Sequence, residues 1–262
     1  MMSTAASELN RMEIRVSQDG SGDFNTITEA VNTIPLRNNR RILIRLNSGV
    51  YREKLYIPRT MRFLTLVGNA TDPPTITGND TASTVRGRDG KPSTFQTATV
   101  AVDADYFMAV NVNFENTAAH VVGTMDGQAV ALRISGTKAA FYNCSFYGSQ
   151  DTLYDHRGLH YFNNCFIQGS VDFIFGYATS LYENCYLNSV AKKVAWVTAQ
   201  KRSNSSISSG FSFKNCTVTG TGSVYLGRPW GDYSRVIFSY TFLDKVVLPQ
   251  GWSDWGNKSR YQ

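Results

Sequence analysis

Two aspartates follow the same Gly-Ser-x pattern, and their residue type and spacing make them the best candidates for chemistry in this sequence. Asp151 ends the stretch GSQD, and Asp172 ends the stretch GSVD, 21 residues further along the chain. When two carboxyl groups lie close together, one stays ionised while the other retains a proton, and such a pair supplies a nucleophile or base beside an acid. Whether these two groups meet depends on whether 21 residues is a structural period.

The chain repeats itself with about that spacing. Its Asn-Cys pairs begin at steps of 21, 20 and 31 residues, within the segments FYNCSFYGS, FNNCFIQGS, LYENCYLNS and FSFKNCTVTG. An earlier copy, AVNVNFENT, places an asparagine 32 residues upstream, and FSYTFLD is a weaker later copy. Large apolar and polar residues alternate in these segments, which predicts short strands, and no amphipathic helix fits between them. A helix-free repeat of about 20–22 residues indicates an all-β protein, a right-handed parallel β-helix with about three strands per coil.

A β-helix would bring the two aspartates together. Each lies seven residues after the cysteine of its repeat, Cys144 or Cys165, so we expect both at the same position on neighbouring coils, about 5 Å apart. At an effective dielectric constant of about 20, their repulsion amounts to about 3 kcal/mol, or roughly two pKa units. We therefore expect one ionised and one protonated carboxyl group. The alternative is a pair of turn aspartates that are solvated separately.

The recurring asparagines and cysteines have structural interpretations. Stacked asparagines would form a ladder that satisfies the backbone of a turn, and this ladder would bury Asn143 and Asn215, although both lie in Asn-x-Ser/Thr sequons. Stacked cysteines would form a small apolar column in the core. They would also be close enough for one or two disulfides in an oxidising compartment, with the connectivity left open among Cys144, Cys165, Cys185 and Cys216.

The two ends of the chain differ from the repeats. We expect residues 1–12 to be a poorly ordered extension and residues 13–262 to form a single domain. The stretch MEIRVSQDGSGDFNTITEAVNTIP predicts a strand, a glycine-rich turn and a short helix that begins after Asp23 or Thr26. Such a helix would cover the open end of a solenoid. At the other end, Trp252 and Trp255 are expected to pack over the outside of the β-helix.

Composition and charge narrow the partners. The 262 residues carry a net charge of +6 with a pI of about 9.1, which favours polyanions such as nucleic acid, anionic lipid or acidic polysaccharide. The basic residues form no long run and accompany no nucleic-acid-binding motif, so we expect no nucleic-acid partner. No stretch is long and apolar enough to span a membrane, and no Cys or His spacing predicts a metal site. The first residues lack the apolar core of a signal peptide, which by itself does not decide the compartment.

The chain resembles the plant pectin methylesterases, or pectinesterases, from about residue 14 to residue 255. The resemblance rests on GSGDFNTITEAV, DGQAVALR, GSQDTLYDH, GSVDFIFG, VTAQ and YLGRPWGDYSRV, which occur in the family's order. It implies a right-handed parallel β-helix that removes the C6 methyl esters of homogalacturonan, releasing methanol without a metal or cofactor. It also implies a monomer secreted to the cell wall, with acidic polysaccharide (pectin) as substrate and a proteinaceous pectinesterase inhibitor as a further partner.

The resemblance assigns roles residue by residue. Asp172 matches the nucleophile, and Asp151 matches the proton donor that later acts as a base. Gln128 and Gln150 match the amide groups that stabilise the oxyanion. The residues matched to substrate binding and to orientation of the nucleophile are Thr94, Arg228 and Trp230.

Some residues near these motifs depart from the family pattern or have no assigned role. Ser149 replaces a frequent aromatic, and Lys201 follows VTAQ where glycine is usual, which bears on subsite preference more than on activity. His156 is interpreted as support near the cleft, while His120 and His160 have no evident partner.

Two other functions compete with an esterase. A pair of carboxylates about 5 Å apart would suit a retaining glycosidase that cuts the pectin backbone, but the Gly-His-Gly and Arg-x-Lys motifs expected of a polygalacturonase are absent from the sequence. The clustered acidic residues of a lyase calcium site are also absent. A non-catalytic solenoid that binds acidic polysaccharide would explain the charge, but not the two aspartates in register.

Overall fold

The computed structural model describes residues 11–91, 93–118 and 127–256. These residues form strands linked by short turns, with one α-helix, α1 (Ile27–Asn32), and a 3-10 helix at Thr94–Gln96. Within the described residues, no helix is long and apolar enough to cross a membrane. The first eleven strands are β1 (Met12–Val16), β2 (Ile42–Leu46), β3 (Val50–Arg52), β4 (Leu55–Ile57), β5 (Leu64–Val67), β6 (Thr75–Gly78), β7 (Val100–Val102), β8 (Met108–Val110), β9 (Asn113–Asn116), β10 (Leu132–Ile134) and β11 (Ala139–Tyr142). The remaining strands are β12 (Ser145–Tyr147), β13 (Leu153–Asp155), β14 (Leu159–Asn163), β15 (Phe166–Gly169), β16 (Val171–Gly176), β17 (Thr179–Glu183), β18 (Tyr186–Gln200), β19 (Gly210–Lys214), β20 (Thr217–Pro229), β21 (Val236–Ser239) and β22 (Phe242–Leu243).

The strands pair in parallel with the equivalent strands of the coils before and after them. One sheet has the strand order β1-β2-β5-β8-β11-β14-β17-β19-β21. There are two further rows of paired strands, β3-β6-β9-β12-β15 and β4-β7-β10-β13-β16. The first part of the long strand β18 pairs with β15 and its last part pairs with β16, so β18 joins the two rows into a single sheet. The long strand β20 pairs with β18 along both parts. Parallel strands related by one coil define a solenoid, so the predicted right-handed parallel β-helix is confirmed.

An aromatic stack fills the interior along the axis. The rings of Phe141, Phe162, Tyr182, Phe213 and Phe238 follow one another with centroid distances of 4.7, 4.5, 4.5 and 4.5 Å and nearly parallel planes. Each ring comes from the same position of successive coils, because the strands that carry them are paired in register. The repeat therefore places one aromatic ring at the same position on five successive coils.

The cysteines form the predicted core column as buried free thiols, each with its Sγ near a backbone carbonyl. The asparagines form a ladder along one corner, where Asn143 donates to Asn111 at 2.8 Å and Asn215 donates to Asn184 at 2.7 Å. All four adopt a left-handed backbone, with φ between 50° and 57°, which asparagine tolerates better than most residues. This turn directs the side chains outward, so Asn143 and Asn215 are exposed and the prediction of their burial was wrong.

Helix α1 closes the N-terminal end of the solenoid, as predicted. Thr26 caps it by accepting from the backbone N–H of Glu29, whose side chain accepts in return from the N–H of Thr26. Its buried face, Ile27, Ala30 and Val31, belongs to the main core. Residues 1–10 of the predicted extension lie outside the described residues, and β1 already includes Met12.

Candidate active site

The two Gly-Ser-x-Asp stretches form equivalent turns on adjacent coils. A Cβ atom at Gly169 would lie 2.1 Å from the Cβ of Phe173, so only glycine fits there. The hydroxyl groups of Ser149 and Ser170 lie 3.1 Å apart, and the N–H of Ser170 donates to the carbonyl of Ser149 at 2.7 Å. These contacts explain why the glycine and the serine recur in both stretches.

The turns place both aspartates in one cavity. The N–H of Asp151 donates to the carbonyl of Val171, the residue before Asp172, at 3.0 Å, and β13 pairs with β16 at the same 21-residue offset. The cavity has a volume of about 390 Å³, and all seven residues predicted for the site line it. Its full lining is Thr94, Phe95, Gln128, Gln150, Asp151, Tyr154, Asp172, Phe175, Ala199, Lys201, Arg228, Trp230 and Trp255. Across the described part of the chain, no three His, Cys, Asp or Glu side chains are arranged to hold a metal ion.

Arg228 holds the carboxylate of Asp172 from two nitrogens. Its Nε donates to Oδ1 at 2.8 Å and to Oδ2 at 3.1 Å, and its Nη2 makes a close contact with Oδ2. The guanidinium itself lies between two indole rings, 4.3 Å from the ring centre of Trp196 and 3.9 Å from that of Trp255. A planar cation clamped in this way fixes the orientation of the carboxylate and favours its ionised form.

The two carboxyl groups have different environments. Asp151 is 8% exposed and Asp172 is 7% exposed, and burial raises the pKa of both. The negative charge of Asp172 raises the pKa of Asp151 further, well above its usual range. At Asp172, the hydrogen bonds and charge of Arg228 oppose the effect of burial on the pKa. Asp172 therefore ionises first, while Asp151 retains its proton.

Two amide side chains lie beside the aspartates. Gln150 immediately precedes Asp151, and its carbonyl accepts from the N–H of Ala129, the residue after Gln128. The Oε1 atom of Gln128 is buried and has no hydrogen-bond partner among the described residues. This oxygen is an acceptor, and the nitrogen of the same amide carries two N–H groups that could donate to a ligand in the cavity.

Two aromatic residues that were not predicted from the sequence, Tyr154 and Phe175, form one wall of the cavity together with Trp230. Tyr154 stacks on Phe175 with ring centres 4.3 Å apart, and Phe175 lies 6.0 Å from Trp230. Tyr154 and Phe175 are separated by 21 residues, as are the aspartates, so the repeat contained the signal that would have identified them. Trp255 was expected to pack over the outside of the β-helix, and its partly exposed ring does so by covering Arg228 at the edge of the cavity.

His156 lies against this aromatic wall. His156 packs edge-on against Phe95 and Tyr154, and its Nδ1 lies 2.9 Å from the hydroxyl of Ser135. Burial, aided by the nearby charge of Arg133, lowers the pKa of His156 to about 4. His156 is therefore neutral at ordinary pH and supports the aromatic wall. His120 lies outside the described residues.

His160 does have partners, contrary to the prediction. Its Nδ1 lies 2.5 Å from Asp155 Oδ1, and its Nε2 lies 2.8 Å from the carbonyl of Gly136. Tyr182 donates to the other oxygen of Asp155 at 2.7 Å. Gly136 lies 24 residues before His160 and could not be identified as a partner from the neighbouring sequence, whereas Asp155 lies only five residues before it.

Comparison with known proteins by sequence identifies a family for this chain. A sequence model of the Pectinesterase family matches residues 13–262. Pectinesterase QRT1 of Arabidopsis thaliana is 44% identical over 253 residues, a match that covers 95% of this chain and 66% of that protein. The chain thus spans about two thirds of that relative.

Solved structures agree with the sequence match. A pectin methylesterase from carrot superposes with a TM-score of 0.83 at 35% identity, covering 93% of this chain and 77% of that one. A pectin methylesterase in complex with a hexasaccharide superposes with a TM-score of 0.78 at 29% identity, covering 90% of this chain and 80% of the other. The family match over nearly the whole chain, together with this agreement in fold, shows that the chain belongs to the pectinesterase family of ester hydrolases.

Proposed function

We propose that the chain demethylates homogalacturonan, with Asp172 as the nucleophile and Asp151 as the acid and then the base. The observation that carries the proposal is the contrast between two carboxyl groups at equivalent positions. Arg228 forms a hydrogen-bonded fork with Asp172, whereas Asp151 is buried and carries a strongly raised pKa. A nucleophile must be ionised and a proton donor must be protonated, and this pair meets both requirements at once.

In the first half of the reaction, an oxygen of Asp172 attacks the carbonyl carbon of the methyl ester. The carbonyl electrons move to oxygen, and the amide N–H groups of Gln128 and Gln150 stabilise the resulting oxyanion. The carbon–methoxy bond then breaks. Methoxide is a poor leaving group, so Asp151 transfers its proton to the departing oxygen and methanol is released. An anhydride between the substrate and Asp172 remains.

In the second half, the ionised Asp151 removes a proton from a water molecule. The water oxygen attacks the acyl carbon, and the bond to Asp172 breaks. The product leaves as a carboxylic acid that releases its proton to solvent. Asp172 is then again ionised and Asp151 is again protonated, so the cycle can restart.

Three observations support an acidic polysaccharide as the substrate: a complex of a relative, the net charge of this chain and the residues that line the cavity. The similar enzyme solved with a hexasaccharide shows that a relative with this fold binds an oligosaccharide, and the net charge of +6 favours an acidic chain. Trp230 and the aromatic wall offer apolar surface to sugar rings, and Thr94 offers a hydroxyl at the cavity edge. We further propose that the enzyme acts outside the cell as a monomer and is a target for a proteinaceous inhibitor.

Methanol release from methylated pectin tests the proposal. The wild-type protein should release methanol without forming new reducing ends, and Asp172→Asn and Asp151→Asn should each lose most of this activity. New reducing ends would indicate a backbone hydrolase, and binding without any product would indicate a non-catalytic solenoid. Full activity of Asp172→Asn would contradict the nucleophile assignment.

A further inference from the structure

Trp196 supports the guanidinium of Arg228 from the outer face of the sheet. It belongs to β18, where its neighbours Ala195 and Val197 are part of the buried core, so its own side chain lies on the opposite, outer face. The guanidinium carbon of Arg228 lies 4.3 Å from the centre of its indole ring. Trp196 thus contacts the cation that holds the nucleophile, although it does not itself line the cavity.

The position of Trp196 is fixed by the strands on both sides of it. β18 pairs with β16 and with β20 so that Trp196 is in register with Val171 and with Tyr225. The ring of Tyr225 is nearly parallel to that of Trp196, with a centroid distance of 6.2 Å and an angle of 12°. The other indole on Arg228, that of Trp255, comes after the last strand and is 43% exposed. Trp196 is therefore the more firmly held of the two surfaces that enclose the guanidinium.

The indole N–H of Trp196 is buried without a partner. Its Nε1 has no hydrogen-bond partner within the part of the chain that the structure describes, and an unpaired buried donor lowers the stability of a fold. Phenylalanine would fill an outward position of a strand without this cost, because its ring has no polar atom. Tryptophan, however, has the aromatic ring that binds a cation most strongly. The residue at this position therefore suits Arg228 better than it suits the stability of the fold.

We propose that Trp196 is a positioning residue for ester hydrolysis, whose ring holds the guanidinium of Arg228 in the orientation in which it binds both oxygens of Asp172. The inference rests on the proposed esterase function and extends it to a residue outside the cavity. The contact with the ring restricts rotation of the guanidinium, so its fork on the carboxylate persists through the attack on the ester. Loss of the ring should therefore affect the chemical step and the ionisation of Asp172 more than substrate binding.

The first test compares Trp196→Leu and Trp196→Phe with the wild type in methanol release from methylated pectin. Trp196→Leu removes the aromatic face, so we expect kcat to fall about five- to thirtyfold while KM stays within about twofold. Trp196→Phe keeps a weaker aromatic face and should lower kcat only about two- to fivefold. The thermal midpoint should not follow this order, because both substitutions remove the unpaired N–H.

A second measurement follows Asp172 directly. When the guanidinium is held less firmly, the carboxyl group of Asp172 should lose its proton at a higher pH. Trp196→Leu should therefore shift both the acidic limb of the kcat/KM profile and a 13C NMR titration of labelled aspartate to higher pH. Tyr186→Leu removes a 43% exposed aromatic ring from the same strand, outside the cavity, and should change neither the rate nor the titration.

Two outcomes would overturn the inference. One is a kcat and a titration of Asp172 in Trp196→Leu that equal those of the wild type. The other is a loss of rate that parallels a fall in the thermal midpoint while the titration of Asp172 stays unchanged, which would indicate a purely structural role. Absence of methanol with the wild type would instead contradict the esterase function, and this inference with it.

Discussion

Asp151 and Asp172 adopt the same left-handed backbone conformation on adjacent coils, with φ angles of 63° and 49°. Few residues other than glycine adopt this conformation, and aspartate is among those that tolerate it. It directs both carboxyl groups into one cavity, although only Asp172 is held by Arg228. The two positions are thus alike in local geometry and differ in their partners, and this difference separates a nucleophile from an acid.

Replacing Arg228 by lysine should disable the nucleophile. Lysine supplies one point of positive charge and cannot reproduce the two-nitrogen contact with Asp172, so we expect kcat to fall about 10²- to 10³-fold. The contacts of Arg228 oppose the rise in the pKa of Asp172, and weakening them should move the acidic limb of the kcat/KM profile to higher pH. Arg45→Lys, which alters an exposed ion pair with Glu13, should leave the profile unchanged. An unshifted acidic limb in Arg228→Lys would contradict the assignment.

The side-chain amide of Gln128 should affect the reaction rate without affecting stability. Gln128→Leu removes a proposed oxyanion donor, and we expect kcat to fall about 10²-fold with little change in KM. The buried Oε1 of Gln128 has no partner among the described residues, so its loss should not lower the thermal midpoint. Steady-state kinetics and thermal unfolding of the same preparation check both parts. A large drop in the midpoint would indicate a structural role for Gln128.

Asp151→Asn should make the folded protein more stable while abolishing activity. Burial and Asp172 raise the pKa of Asp151 in the folded state, so above the unfolded value of about 3.9 the unfolded chain ionises while the folded protein retains the proton. Stability conferred at this site is therefore lost as the pH rises from about 4 towards the folded pKa. Asparagine has no such loss, and each pKa unit is worth about 1.4 kcal/mol. Urea unfolding at several pH values should show a gap between variant and wild type that widens with pH. A gap that stays constant would count against the raised pKa.

The aromatic stack should dominate the stability of the middle coils. Phe162 is fully buried between Phe141 and Tyr182, so Phe162→Ala should lower the free energy of unfolding by about 3–5 kcal/mol. Phe242→Ala at a 62% exposed position should change it by less than about 0.5 kcal/mol. Chemical denaturation measures both. Equal effects of the two substitutions would contradict the interior stack.

The coil architecture could be predicted because a solenoid repeats its pattern at a short sequence spacing. The 21-residue offset between Cys144 and Cys165 is the offset by which β13 pairs with β16, so the sequence spacing translated directly into spatial proximity of the aspartates. The capping of α1 by Thr26 is likewise a local interaction that the sequence contains.

Other features of the site depend on side chains that reach across coils or come from the last turns. Trp255 lies on Arg228 and Lys201 lies on Trp230, contacts that have no counterpart in the repeat pattern. One partner of His160, the carbonyl of Gly136, also comes from a distant part of the chain. The outward direction of Asn143 follows from its left-handed backbone, which alternation of apolar and polar residues does not specify.

The central claim is that Asp172 is ionised while Asp151 retains a proton. The most direct test is a titration of the side-chain carboxyl carbons of 13C-labelled aspartate by NMR, with the two signals assigned from Asp151→Asn and Asp172→Asn. We predict that Asp172 loses its proton first, that Asp151 titrates well above its usual range, and that the pKa of Asp151 falls in Asp172→Asn because a neighbouring negative charge is gone. Two carboxyl groups that titrate together near the ordinary pKa of aspartate, or an Asp151 signal unaffected by Asp172→Asn, would contradict the account.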